Sequence, residues 1–140
     1  MPDSRFVFSD SLSVEDFLRL RAEVDWIALP VEQAQAGLDN TFACISVSVD
    51  GETVGMARML WDGCYCAFLT DVVVSGKYRH NGLATEMVQR LIDRLRAEKK
   101  DGWYIKLYLM AAHGRESFYE KFGLYARPSG EEGAGMNMWL

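Results

Sequence analysis

Between Asp71 and Lys100 the chain changes character twice, and this restricts the folds open to it. A β-branched run, Asp71-Val72-Val73-Val74, gives way to a polar turn, Arg79-His80-Asn81-Gly82-Leu83-Ala84, and then to a long amphipathic stretch. Ala84, Met87, Val88, Leu91, Ile92 and Leu95 recur there at the i, i+3, i+4 spacing of one buried stripe. Lys99-Lys100 suits the negative end of a helix dipole and Asp101-Gly102 stops the pattern, so the spacing predicts a helix over 84–100. A further apolar run, Tyr104 to Met110, follows. Two strands joined through a helix are expected to lie parallel.

The turn carries chemistry of its own. The first N–H groups of a helix have no intrahelical partner, and the helix dipole places positive potential behind them. Gly82 and Ala84 carry almost no side chain, so an anion can approach the amides closely. Thr85 adds a hydroxyl, and Lys77 and Arg79 add a local positive field. The turn from Arg79 through His80, Asn81, Gly82, Leu83 and Ala84 to Thr85 therefore reads as a phosphate cradle. It is not a Walker A loop, because no Lys-Ser/Thr pair follows the glycines, and no Gly-x-Gly-x-x-Gly occurs in the chain.

Upstream, Arg5 to Phe8 reads as a short strand. Ser13 is placed to cap a helix running to about Asp25, with Leu12 and Phe17 as its hydrophobic staple. Pro30 opens a second helix through Leu38. Phe42–Val49 and Thr53–Leu60 flank Asp50-Gly51, a hairpin signal. Asp62-Gly63 turns the chain into a strand from about Cys64 to Val74. Downstream, a short helix is expected over Arg115 to Phe122. Two strands or a hairpin are expected on either side of Ser129-Gly130-Glu131-Glu132-Gly133.

At 140 residues the chain is expected to form one domain, 1–140. Its net charge of −5 argues against nucleic-acid binding through phosphate neutralisation. Basic residues outnumber acidic ones between Asp71 and Lys100, within an otherwise acidic chain. That asymmetry suits an anionic ligand, or else reflects the solvated face of one helix. No apolar run approaches the ~20 residues of a membrane span. Met1-Pro2-Asp3-Ser4 lacks a basic-then-apolar signal, so a cytoplasmic, membrane-free protein is expected. Cys44, Cys64 and Cys66 are expected to be reduced, and with only His80 and His113 as histidines no metal site is expected.

Arg-x-x-Gly-x-Ala at 79–84 follows an apolar strand and opens a helix, and Phe118-Tyr119-Glu120-Lys121-Phe122-Gly123-Leu124 lies downstream. With this order of elements, the chain resembles the GNAT N-acetyltransferase superfamily along essentially its whole length. The resemblance implies an α/β fold: a mixed, mostly antiparallel sheet with helices on both faces and splayed central parallel strands. It implies acetyl-CoA as donor and co-substrate and a primary amine as acceptor. The pantetheine arm would pair with the backbone of Val72, Val73 and Val74, and the diphosphate would lie on the turn from Arg79 to Thr85. Tyr119 matches the tyrosine that protonates the departing thiolate, a role a phenol of pKa ~10 can fill. Alternatively, Tyr119 packs its helix beside Phe118 and Phe122.

The family's base position on the strand falls on Phe68, which cannot serve. Asp71 is either a base or a structural or substrate-orienting group, and strict alternation points it to the face opposite Phe68. A bulge would change that phase. Ser75-Gly76, Ala84 and Ala111-Ala112 depart from the family's frequent proline, glycine and asparagine. Acceptor recognition is expected between Trp26 and Asn40 and near Trp61 and Ser129 to Gly135. Trp26 and Glu32, with Glu23 and Asp25, form either an acidic, aromatic mouth for an ammonium group or a solvated helix face. A homodimer is also plausible on strand-edge grounds. A non-catalytic acyl-CoA-binding module is the rival reading, and a DNA-binding regulator ranks lowest.

Overall fold

The structure is a computed structural model describing residues 3–140. Met1 and Pro2, on which part of the export reading rests, lie outside the described residues. The chain divides into two compact units, Met1–Tyr108 and Leu109–Leu140.

In the first unit β1 (Phe6–Ser9) leads through α1 (Val14–Glu23) and α2 (Val31–Asp39) to β2 (Ala43–Val49), β3 (Glu52–Trp61) and β4 (Cys66–Val74). A single 3₁₀ turn, Gly76–Tyr78, precedes α3 (Leu83–Ala97) and β5 (Lys106–Tyr108). The strands lie in the order β1-β2-β3-β4-β5, antiparallel except for the parallel pair β4–β5. The fold is thus the expected α/β domain with a mixed, mostly antiparallel sheet.

Local chemistry sets these boundaries. The Ser13 hydroxyl accepts the Asp16 N–H at 3.1 Å and caps α1, and Leu12 packs against the cluster containing Phe17. Asp50 and Gly51 both have positive φ, 50° and 80°, the conformation a two-residue hairpin turn requires. Phe17 and Leu20 of α1 and Ala34 of α2 pack on Met56 and Val73, covering one face of the sheet. The α3 stripe Leu83, Met87, Val88, Leu91, Ile92 and Leu95 is buried, and α3 packs against β2, β3 and β4 on the other face. Gly55 permits this close approach: a Cβ there would lie 2.8 Å from Val47 Cγ1 and 3.2 Å from Met87 Cε.

Three expectations need correction. The parallel pair stands at one edge of the five strands, not at the centre, and its register covers only Cys66–Phe68 against Lys106–Tyr108. The strand expected over Tyr104 to Met110 is therefore three residues long. The C-terminal strands also do not form. Their place is taken by one isolated bridge, in which the backbone groups of Ser129 and Glu132 exchange hydrogen bonds of 3.0 and 2.9 Å. The Gly- and Glu-rich run between the apolar flanks favours a local turn over a ladder.

The solvated reading of α3 is supported by its own ion pairs, Arg90 with Glu86 at 2.8 Å and Arg96 with Asp93 at 3.4 Å. Among the described residues no helix is long and apolar enough to cross a membrane.

Candidate active site

β4 is bulged where the sequence left its phase open. Met56 pairs with Val73 but Arg58 with Thr70, so Asp71 and Val72 together oppose Ala57. Asp71 takes φ 55°, a left-handed conformation that Asp tolerates better than most residues. Phe68 pairs with Leu60, in the same pleat phase as Arg58 and Met56. The bulge turns Asp71 to that face as well, towards α1 and α2. Strict alternation is overturned here.

The Asp71 side chain is only 6% exposed, and both carboxylate oxygens are engaged. Arg21 Nη1 of α1 donates to Oδ1 at 3.0 Å and Arg58 Nε of β3 to Oδ2 at 2.8 Å. Arg58 Nη1 continues to the Gly37 carbonyl at 3.0 Å and the Thr41 hydroxyl at 2.7 Å, at the end of α2. Arg21 Nη2 donates to the Ile27 carbonyl at 3.1 Å in the α1–α2 connection. Both guanidinium groups lie over the Phe17 ring, at 5.4 and 5.2 Å, and Arg21 also lies 5.4 Å from the Trp26 ring. Arg21 Nε is buried with no hydrogen-bond partner. One carboxylate thus ties α1, α2 and two strands together. Sequence reasoning missed Arg21 and Arg58. The available signal was an aspartate in a β-branched strand, with an arginine inside the apolar run Met56–Leu60.

The segment after β4 is built differently. Ser75 N–H donates to the Val54 carbonyl at 2.8 Å, and its hydroxyl to Glu23 at 2.7 Å. The chain then turns through Gly76–Tyr78. His80 and Gly82 both have positive φ, 65° and 74°, and Asn81 Nδ2 closes the bend onto the Tyr78 and Arg79 carbonyls at 3.0 and 3.2 Å. α3 begins at Leu83 with Gly82 as its N-cap residue and no side-chain capping bond. A Cβ at Gly82 would meet nothing within 4 Å. Residues 79–85 form a tight turn that leads into a helix N-terminus with no side-chain bond from its N-cap residue, a kind of arrangement whose backbone N–H groups can receive an anion. Arg79 Nε folds back to the Val74 carbonyl at 3.3 Å.

Val72 to Val74 lie beyond the three residues of β4 that pair with β5, so one edge of this stretch has no β5 partner. On the α1–α2 side Trp26 is partly exposed and lines a cleft, whereas Glu32 sits in the first turn of α2 and is not among the residues lining it. Glu23 is engaged by Ser75 and lies 4.0 Å from Arg19.

In the second unit α4 (Glu116–Glu120) carries Tyr119. Its ring meets Phe118 edge-on at 4.9 Å, and Phe118 meets Phe122 at 5.5 Å. Burial pushes the Tyr119 phenol above its ordinary value, partly opposed by the positive charge of Arg115. Among the described residues no cluster of three His, Cys, Asp or Glu side chains could hold a metal ion.

Comparison with known proteins agrees with this geometry. The chain is 25% identical over 130 residues to the uncharacterized N-acetyltransferase ycf52 of Gracilaria tenuistipitata var. liui, covering 90% of this chain and 69% of that one. A protein of unknown function from meticillin-resistant Staphylococcus aureus superposes with TM-score 0.85 at 18% identity, over 96% of this chain and 99% of the other. Glucosamine-6-phosphate N-acetyltransferase from Arabidopsis thaliana gives TM-score 0.71 at 16% identity, over 96% and 97%. The sequence model of the Acetyltransferase (GNAT) family matches residues 11–124, most of the chain, and the chain belongs to that family of N-acetyltransferases, which use acetyl-CoA as co-substrate.

Proposed function

We propose that the protein, acting as one catalytic domain, transfers the acetyl group of acetyl-CoA directly to a primary amine within a ternary complex. The observation that carries this reading is the uncapped start of α3 behind the His80–Gly82 turn, directly after a strand stretch with no β5 partner. The diphosphate lies against the amides of the turn from Arg79 to Thr85. The pantetheine amides pair with the free edge of Val72–Val74 as an added strand would.

In the reaction the amine nitrogen attacks the thioester carbonyl and gives up a proton to water. The tetrahedral intermediate collapses, the C–S bond breaks, the thiolate takes a proton from the Tyr119 phenol, and the phenolate regains a proton from the water that accepted the amine's. Burial favours the neutral phenol, so Tyr119 stays protonated through pH 7–9 and keeps its proton available. Asp71 acts as the positioning group of the bulge rather than as the base, because both its oxygens already accept from guanidinium groups. The exposed side chains of Met136, Met138 and Trp139 support assembly as a homodimer, to be checked by light scattering.

The test is free-thiol release from acetyl-CoA across a panel of amines at pH 7–9, for the wild type and Tyr119→Phe. Amine-dependent release that falls between tenfold and about 10⁴-fold in the variant is expected. Binding of acetyl-CoA with no release for any amine would instead favour a non-catalytic acyl-CoA-binding module.

A further inference from the structure

A cleft of about 170 Å³ lies where α1 runs into the α1–α2 connection. Its walls are Leu18, Ala22, Trp26, Ile27, Ala28 and Leu29, with Arg21 as the one charged residue. Leu18 and Leu29 also pack on the cluster that contains Val73, so the cleft backs onto the bulged strand. Arg21 spans the two, lining the cleft while donating to Asp71 at the bulge and to Ile27 in the cleft wall. The cleft is therefore fixed to the strand proposed to carry the thioester.

Resting on the acetyl-transfer reading, we infer that the acceptor is a monoamine bearing one compact apolar group, and that this cleft seats the group. The cleft is open to solvent, with Ala22, Trp26, Ile27 and Ala28 exposed, and its volume is of the order that one small ring needs, ~150 Å³ for benzene. The chemistry supports it too. No carboxylate lines the cleft; of the two acids adjacent to its walls in sequence, Glu23 is bonded to Ser75 and Asp25 is exposed at φ 59°. The Trp26 ring, which an ammonium group would need, already has the Arg21 guanidinium 5.4 Å from its centroid. A second positive charge on the acceptor would meet that guanidinium, which shares the single Asp71 carboxylate with Arg58. The acidic mouth expected from Glu23, Asp25, Trp26 and Glu32 is thus replaced by an apolar seat with a cationic edge, which disfavours polyamines and aminoglycosides.

The test compares 2-phenylethylamine, methylamine and spermidine in thiol release, and follows 2-phenylethylamine binding separately by ligand-observed NMR in the presence of CoA. The expected result is kcat/KM at least tenfold higher for 2-phenylethylamine than for spermidine. Ala28→Phe, which fills the cleft, is expected to raise the KM for 2-phenylethylamine at least tenfold. It should leave acetyl-CoA binding and the melting temperature unchanged. Ala22→Leu repeats the test on the helical wall. Preference for spermidine, or filled variants that treat 2-phenylethylamine as the wild type does, would overturn the inference while leaving acetyl transfer intact. Binding of 2-phenylethylamine that is lost in the filled variants, with no amine acetylated, would retain the seat and overturn the transferase reading.

Discussion

The bulge at Asp71 and the turn at His80–Gly82 lie a few residues apart on one segment, yet they treat their polar groups in opposite ways. At the bulge each carboxylate oxygen is matched to a guanidinium N–H, the site is buried, and the arginines go on to fix α1 and α2. At the turn the backbone is bent through two positive φ angles, and the helix start has no side-chain bond from its N-cap residue. The matched groups hold a shape, and the helix start is where the proposed diphosphate would lie. Even the two longer helices of the first unit follow this division: α1 is capped by Ser13, whereas α3, which faces the proposed diphosphate, is not.

The comparison breaks if substitutions at the two places cost the same property. The largest stability effect is expected at the bulge. Asp71→Ala leaves two guanidinium groups buried and uncompensated, and should lower unfolding free energy by about 3–5 kcal/mol in urea titrations. Next is Gly55→Ala, which forces a methyl group against Val47, Met87 and the Val73 carbonyl. It should cost about 1–3 kcal/mol by the same measurement. Gly82→Ala meets no atom but holds an L-residue at φ 74°, so folding should lose only about 1 kcal/mol. Because relief of that strained φ would shift the turn amides, calorimetry should show acetyl-CoA affinity falling at least tenfold. The smallest effect is Ser13→Ala, about 1 kcal/mol of stability from the lost cap, with acetyl-CoA affinity unchanged. A Gly82 variant that binds normally, or a Ser13 variant that does not, would erase the distinction.

Much of this arrangement is legible in the sequence because it is local. The helical stripe of α3, the Ser13 cap, the Asp50-Gly51 hairpin and the Arg-x-x-Gly-x-Ala turn each depend on residues within one or two turns of chain. What escaped is what depends on distant partners. The phase of Asp71 is set by Arg21 and Arg58, fifty and thirteen positions away, which no periodicity reports. The length of β5 is set by where β4 stops pairing with it, and the apolar C-terminal run reads as strand although it finds no ladder. Trp26 was singled out from composition, which cannot show that Arg21 lies over its ring.

The central claim is that the bare start of α3 holds the diphosphate of acetyl-CoA. The most direct measurement is calorimetric titration of the wild-type protein with acetyl-CoA and, separately, with S-acetylpantetheine, which keeps the thioester arm but lacks the diphosphate. The account predicts saturable binding of acetyl-CoA and binding of S-acetylpantetheine weaker by at least tenfold. Equal affinity for the two, or no binding of acetyl-CoA, would contradict it.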